Sequence, residues 1–124
     1  EGVVSSVELE EFIQLGCLDG VAMKPARCGG LSDARRQIEI VQNAGLMFLG
    51  SGLTDPDFSL AASLILYGAY DLTYPAALNG PQFIDGTVLR QPFQVEAGEL
   101  KVPTGPGLGV EIDEAKIEKF LVTL

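Results

Sequence analysis

The chain has 124 residues, 47% of them hydrophobic, which is enough for one packed domain and carries none of the compositional marks of disorder. A formal net charge of −9, with eight Lys and Arg residues that form no run or stripe, gives a field that repels phosphate backbones and excludes nucleic acid as an expected partner. No apolar run approaches the roughly 20 residues that span a bilayer, so no membrane partner is expected, and the lack of histidine excludes a zinc site built on Cys and His.

The sequence opens on Glu1-Gly2-Val3-Val4, with neither an initiator methionine nor an apolar leader, and is expected to be a segment of a longer protein. Ser5-Ser6-Val7-Glu8 has the Ser-x-x-Glu capping pattern, and Val7, Leu9, Phe12 and Ile13 give the apolar stripe of a helix reaching about Leu15 and ended by Gly16. After Asp19-Gly20, the run Val21-Ala22-Met23-Lys24 reads as a short strand buried on both faces, with the lysine at its C-terminal tip. Cys28-Gly29-Gly30-Leu31-Ser32 is a turn that ends on Ser32 as N-cap of a second helix, whose buried face carries Ala34, Ile38, Val41 and Ala44 and which closes on Gly45. The two cysteines, Cys17 and Cys28, are expected to be free thiols in a reducing compartment, the cytoplasm by default.

Leu46-Met47-Phe48-Leu49 is the next strand, and a loop over 50–57 leads into a helix of small and apolar residues near 59–70. Ala76-Ala77-Leu78 is expected to be a last short strand. From Phe83 the pattern changes. Phe93-Gln94-Val95 and Leu100-Lys101-Val102 flank Ala97-Gly98 as a hairpin, and Asp113 caps a final helix to about Leu121.

Helices alternating with short apolar strands are the pattern of βα units around a parallel sheet, an α/β fold. Residues 1–82 are expected to hold about three such units, the C-terminal portion of a β/α-barrel, and 83–124 a tail of a different layer. Three strands do not close a barrel, so the remainder has to come from elsewhere.

In parallel β/α folds functional groups gather at the C-terminal ends of strands. That rule selects Lys24, the loop over 51–57 and the segment over 77–79. A lysine ending an apolar strand is partly desolvated, which favours its neutral amine and suits a general base; the alternative is a lysine reaching out to solvent or to a carboxylate. In Thr54-Asp55-Pro56-Asp57, Asp55 as N-cap with Pro56 at the first helical position is one reading. The other makes Asp55 or Asp57 a partner for a substrate ammonium or hydroxyl. Ser51 and Asn79 are the remaining substrate-binding candidates. Gly29-Gly30 and Gly105-Pro106-Gly107-Leu108-Gly109 do not lie between a strand and a helix in the manner of a phosphate cradle and read as turns.

Asp19-Gly20-Val21-Ala22-Met23-Lys24-Pro25-Ala26-Arg27-Cys28-Gly29-Gly30, with the helix ending in Ala44-Gly45, resembles the sixth-strand segment of the mandelate racemase and muconate lactonizing subgroup of the enolase superfamily. Leu49-Gly50-Ser51 is similar to the seventh-strand end, Ala77-Leu78-Asn79-Gly80-Pro81 to the eighth, and the stretch from Val102 to Val110 to the closing motif. The resemblance implies a C-terminal segment of a TIM-barrel enzyme in which Lys24 is an acid/base residue. It implies a Mg2+ ion whose ligands lie upstream of residue 1, with Glu1 directly following one of them, and a tail that packs toward a capping domain. The implied activity is racemisation or epimerisation, dehydration or cycloisomerisation of a small carboxylate through α-proton abstraction, by an isomerase or lyase that is a homo-oligomer at full length. The segment alone is expected to be inactive. Without histidine there is no seventh-strand His base, and Ala77 stands where muconate lactonizing enzymes tend to carry a glutamate, which weighs against cycloisomerisation. A non-catalytic barrel piece with a structural or assembly role is the alternative.

Overall fold

The computed structural model describes residues 2–122. Helix α1 (Ser6–Gln14) starts on the expected capping box: Glu8 N donates to Ser5 Oγ, and Ser5 N donates back to the Glu8 carboxylate at 3.1 Å. It ends where Gly16 takes φ +65°, a conformation that costs glycine little. Strand β1 (Gly20–Met23) follows, then a 3₁₀ turn at Pro25–Arg27, helix α2 (Leu31–Asn43), strand β2 (Met47–Gly50) and helix α3 (Asp57–Gly68). Helix α4 (Gly80–Phe83) ends where the tail begins, and helix α5 (Glu114–Glu118) lies within the tail.

The two strands are parallel, with Met23 opposite Gly50 and Val21 opposite Phe48. A third chain segment extends this sheet through one parallel bridge, Ser51 to Ala77, in which Ala77 N donates to Gly50 O at 2.9 Å and Gly52 N to Ala77 O at 3.0 Å. The expected strand at Ala76-Ala77-Leu78 is thus reduced to a single pairing. Pro75, just before it, has no N–H to lengthen the ladder.

Alternation along the strands puts Val21, Met23, Phe48 and Gly50 on the face covered by helices. There Met23 and Phe48 join Leu9, Ala34, Ile38, Val41, Leu66 and Tyr67 in one core cluster. The opposite face is open among the described residues: Ala22 is exposed and Leu49 half-buried. Burial of β1 on both faces, expected from its apolar run, is therefore not met within this chain.

Several boundaries differ from expectation. Helix α2 is capped by Gly30 at φ +98° and not by Ser32, because Gly29 and Gly30 both turn left-handed and bring the chain into the helix two residues sooner. Ala44 falls beyond the last helical residue and is exposed. The Ala97-Gly98 turn forms with both residues at positive φ, but its hairpin contracts to the Glu96–Glu99 bridge; Pro92 and Pro103, flanking the segment, have no N–H to donate to a longer ladder. Helix α5 is capped by Asp113 as expected and stops at Glu118, having no buried residue to stabilise a further turn.

The tail folds back on itself around Leu89. Leu89, 1% exposed, pairs with Ile112 in an antiparallel bridge, Asp113 N donates to Val88 O at 2.8 Å, and Lys116 Nζ donates to Leu89 O. Both cysteines are free, Cys17 exposed and Cys28 buried.

Candidate active site

Lys24 is the first residue past β1, still extended at φ −124° and ψ 105°, and half-buried. Its carbonyl accepts from Arg27 N at 2.9 Å, which opens the Pro25–Arg27 turn and ends the strand at the lysine. The register carries on past the strand ends: Ser51 N donates to Met23 O at 2.8 Å, which aligns Lys24 with Ser51, and Ser51 bridges to Ala77. Lys24, Ser51 and Ala77 thus form one row across the C-terminal rim of the sheet. Since Met23 points into the helical core, the alternation aims Lys24 at the open face, and Ser51 shares that direction. Asn79 stands two residues past Ala77, half-buried, and precedes α4, with its carbonyl accepting from Gln82 N.

Asp55 and Asp57 are placed differently. Pro56, not Asp55, is the N-cap of α3, because Pro56 is extended at ψ 171° and helical geometry begins at Asp57. Asp55 is 5% exposed, and its carboxylate accepts from Ser59 Oγ at 2.9 Å. A side chain at Gly52 would meet that carboxylate and one at Gly80 the Asp55 backbone carbonyl, so the two glycines let the loop close over it. Asp57 Oδ2 accepts from Thr87 Oγ1 at 2.8 Å and from Val88 N at 2.7 Å, which fastens the tail to the start of α3. The cavity beside these aspartates, about 180 Å³, is lined by Leu60, Pro81, Thr87 and Phe93 among others, and neither Lys24 nor Ser51 reaches it. The structure therefore brings Lys24 and Ser51 into one row, turns Asp57 to the tail, and holds Asp55 buried behind the rim against Gly52. Glu1 lies outside the described residues.

One participant went unnoticed in the sequence. Tyr67, in α3, sends its hydroxyl to the strand tips, 2.8 Å from Met23 O and 2.9 Å from Ser51 O. Burial, the largest cause, pushes its phenol well above the ordinary tyrosine range. The available signal was a phenol in the otherwise apolar stretch Leu64-Ile65-Leu66-Tyr67, since a buried tyrosine hydroxyl has to find a partner.

Parallel βα units with a lysine at the sheet's C-terminal rim define this chain as a portion of a (β/α)-barrel. Residues 1–116 match the family described as enolase C-terminal domain-like. The chain is 34% identical over 111 residues to muconate cycloisomerase 1-1 of Acinetobacter lwoffii, covering 89% of this chain and 29% of that protein. Over 110 residues it is 33% identical to an N-succinylamino acid racemase of Amycolatopsis, covering 89% and 30%. The fold superimposes on the crystal structure of 2-chloromuconate cycloisomerase from Rhodococcus opacus 1CP with a TM-score of 0.91 and 32% identity, covering 98% of this chain and 33% of that one. The chain belongs to the enolase C-terminal domain-like family, in the C-terminal part of the barrel. It spans about a third of the length of the relatives it matches.

Proposed function

We propose that this chain supplies the acid/base lysine to an isomerase or lyase that removes the proton next to the carboxylate of a small substrate. The observation that carries the reading is the position of Lys24, one residue beyond β1, half-buried, on the open face of the sheet and in a row with Ser51. In the forward step the neutral Nζ takes the α-proton, and the C–H electron pair moves into the carboxyl group; in return, the ammonium gives a proton back to the same carbon. For a racemase or epimerase a second group on the other side of that carbon completes the exchange.

An amine alone is a poor match for so weak a carbon acid, and stabilisation of the developing negative charge has to come from other groups. The family resemblance implies Mg2+ for that task. Among the described residues no group of three or more His, Cys, Asp or Glu is placed to hold a metal ion, so its ligands are not found among them. The residues of this chain bind, position and move the proton.

Ala77 occupies the rim beside Ser51 with a methyl group, and this supports racemisation, epimerisation or dehydration over ring closure. The 34% identity to a muconate cycloisomerase keeps cycloisomerisation as the second reading. Asp55 and Asp57 act within the chain, holding the loop and the tail, and Ser51 and Asn79 are the rim residues offered to substrate. Residues 83–124 belong to the same enzyme as a tail.

The test assays the full-length protein containing this chain with muconate and with an N-succinylamino acid. Lys24→Ala is expected to lower kcat by about 10²–10⁴-fold on whichever compound the wild type converts, as general acid–base groups do, with KM held within about threefold. A variant that keeps more than a tenth of wild-type kcat contradicts the assignment.

A further inference from the structure

Tyr67 reaches the tips of both strands from behind the sheet. Its hydroxyl has one proton, shared between Met23 O and Ser51 O, and it accepts from Ser51 N at 3.3 Å. The Met23 carbonyl thereby has two donors, the phenol and Ser51 N, each at 2.8 Å. The ring is itself held. It meets Phe48 edge-on, with centroids 5.9 Å apart, and it passes so close over Gly50 that a Cβ there would stand 3.0 Å from two ring carbons.

Packing alone does not call for the hydroxyl, since a phenylalanine ring would fill the same space. What the hydroxyl adds is a fixed orientation for the peptide group between Met23 and Lys24, together with a fixed spacing to Ser51. The plane of that peptide sets the direction in which the Lys24 side chain leaves the strand. At the end of a four-carbon stem a small rotation there becomes a large displacement of Nζ. Because burial keeps the phenol protonated, the tie persists at neutral pH.

We propose that Tyr67 is a positioning residue for Lys24, locking the Met23 and Ser51 carbonyls at the rim so that Nζ stands where it can reach the substrate α-carbon. The proposal rests on the reading of Lys24 as the acid/base group. A misplacement of roughly 1 Å in such a group costs about 10²-fold in rate, and loss of one hydroxyl with the ring retained should cost part of that.

The experiment uses the full-length protein, with N-succinyl-L-phenylalanine and N-succinyl-D-phenylalanine in deuterated water as probes. Lys24→Ala identifies the hand whose α-hydrogen depends on Lys24. Tyr67→Phe should then slow exchange on that hand by about tenfold, while exchange on the other hand stays within twofold of wild type. Equal slowing on both hands, or a fall in thermal stability with both exchange rates unchanged, overturns the proposal and makes the tie purely structural. If Lys24→Ala exchanges both hands at wild-type rates, it is the reading of Lys24 that fails. Should the wild type exchange neither compound, the crystal structure of full-length Tyr67→Phe decides: Lys24 Nζ displaced by about 1 Å or split between positions supports the positioning role, and a superimposable Lys24 overturns it.

Discussion

Replacing Asp57 by asparagine separates a tail anchor from a substrate ligand. In the structure its carboxylate oxygen Oδ2 takes two donors, Thr87 Oγ1 at 2.8 Å and Val88 N at 2.7 Å, at the first position of α3. Hydrogen bonds to a charged group contribute roughly 1.5–3 kcal/mol each and neutral ones about 0.5–1.5 kcal/mol. Both donors share one oxygen on a half-buried residue, so the lower end of each range applies, about 3 kcal/mol for the carboxylate and about 1 kcal/mol for the amide. Asparagine keeps an acceptor oxygen at the same reach, and relaxation around it recovers some of the difference. The expected cost is about 1.5 kcal/mol, local to the tail, or roughly a tenfold rise in the opening equilibrium of that segment. Hydrogen exchange followed by mass spectrometry on the full-length protein should show residues 87–90 exchanging about tenfold faster in Asp57→Asn, with kcat/KM within about twofold of wild type. Unchanged exchange together with a tenfold or larger loss of kcat/KM would refute the reasoning and return Asp57 to the substrate.

Two further predictions concern Cys28 and Glu8. Burial raises the Cys28 thiol above its ordinary range, while Cys17 is exposed, so a thiol reagent at neutral pH should label Cys17 quickly and Cys28 only on unfolding; rapid reaction of both contradicts the packing around Cys28. The backbone N–H of Val4, then the side chain and N–H of Ser5, hold the Glu8 carboxyl below its ordinary range. A folded value lower than the unfolded one means that the stabilisation is present above the unfolded value and fades as pH falls through the folded one. NMR titration should give Glu8 a midpoint below that of the same residue in the unfolded chain, and an equal or higher midpoint would show that the capping box does not form in solution.

Much of the fold was legible because local rules and tertiary packing agree in it. The capping box at Ser5 and Glu8, the helix-ending Gly16 and Gly45, and the cap at Asp113 each act within one turn of chain, and each is where the motif placed it. Misplacements arose where two local rules competed. At Gly30 and Ser32 a left-handed glycine pair pre-empted a capping serine. At Asp55 and Pro56 a strong capping signal lost to a loop that closes over the aspartate between Gly52 and Gly80, which only spatial neighbours reveal. In the tail, β-like composition over 93–102 found a single bridge partner, and propensity without a paired edge makes little strand.

The candidate site was legible in the placement of its lysine and not in the contacts around it. Lys24 stood out as the one charge at the end of an apolar run, and the position rule for parallel strands did the rest. Tyr67 is 43 residues further on and meets Lys24's neighbour only through the fold. Nothing in its sequence surroundings says which carbonyl it will find.

The central claim is that Lys24 moves a substrate proton, and the most direct measurement is solvent exchange at the substrate α-carbon, resolved by hand, in full-length Lys24→Ala. If the full-length wild type exchanges both hands of N-succinylphenylalanine in deuterated water, deuterium entry in Lys24→Ala should vanish for one hand and persist for the other. Wild-type exchange on both hands in Lys24→Ala would contradict the account.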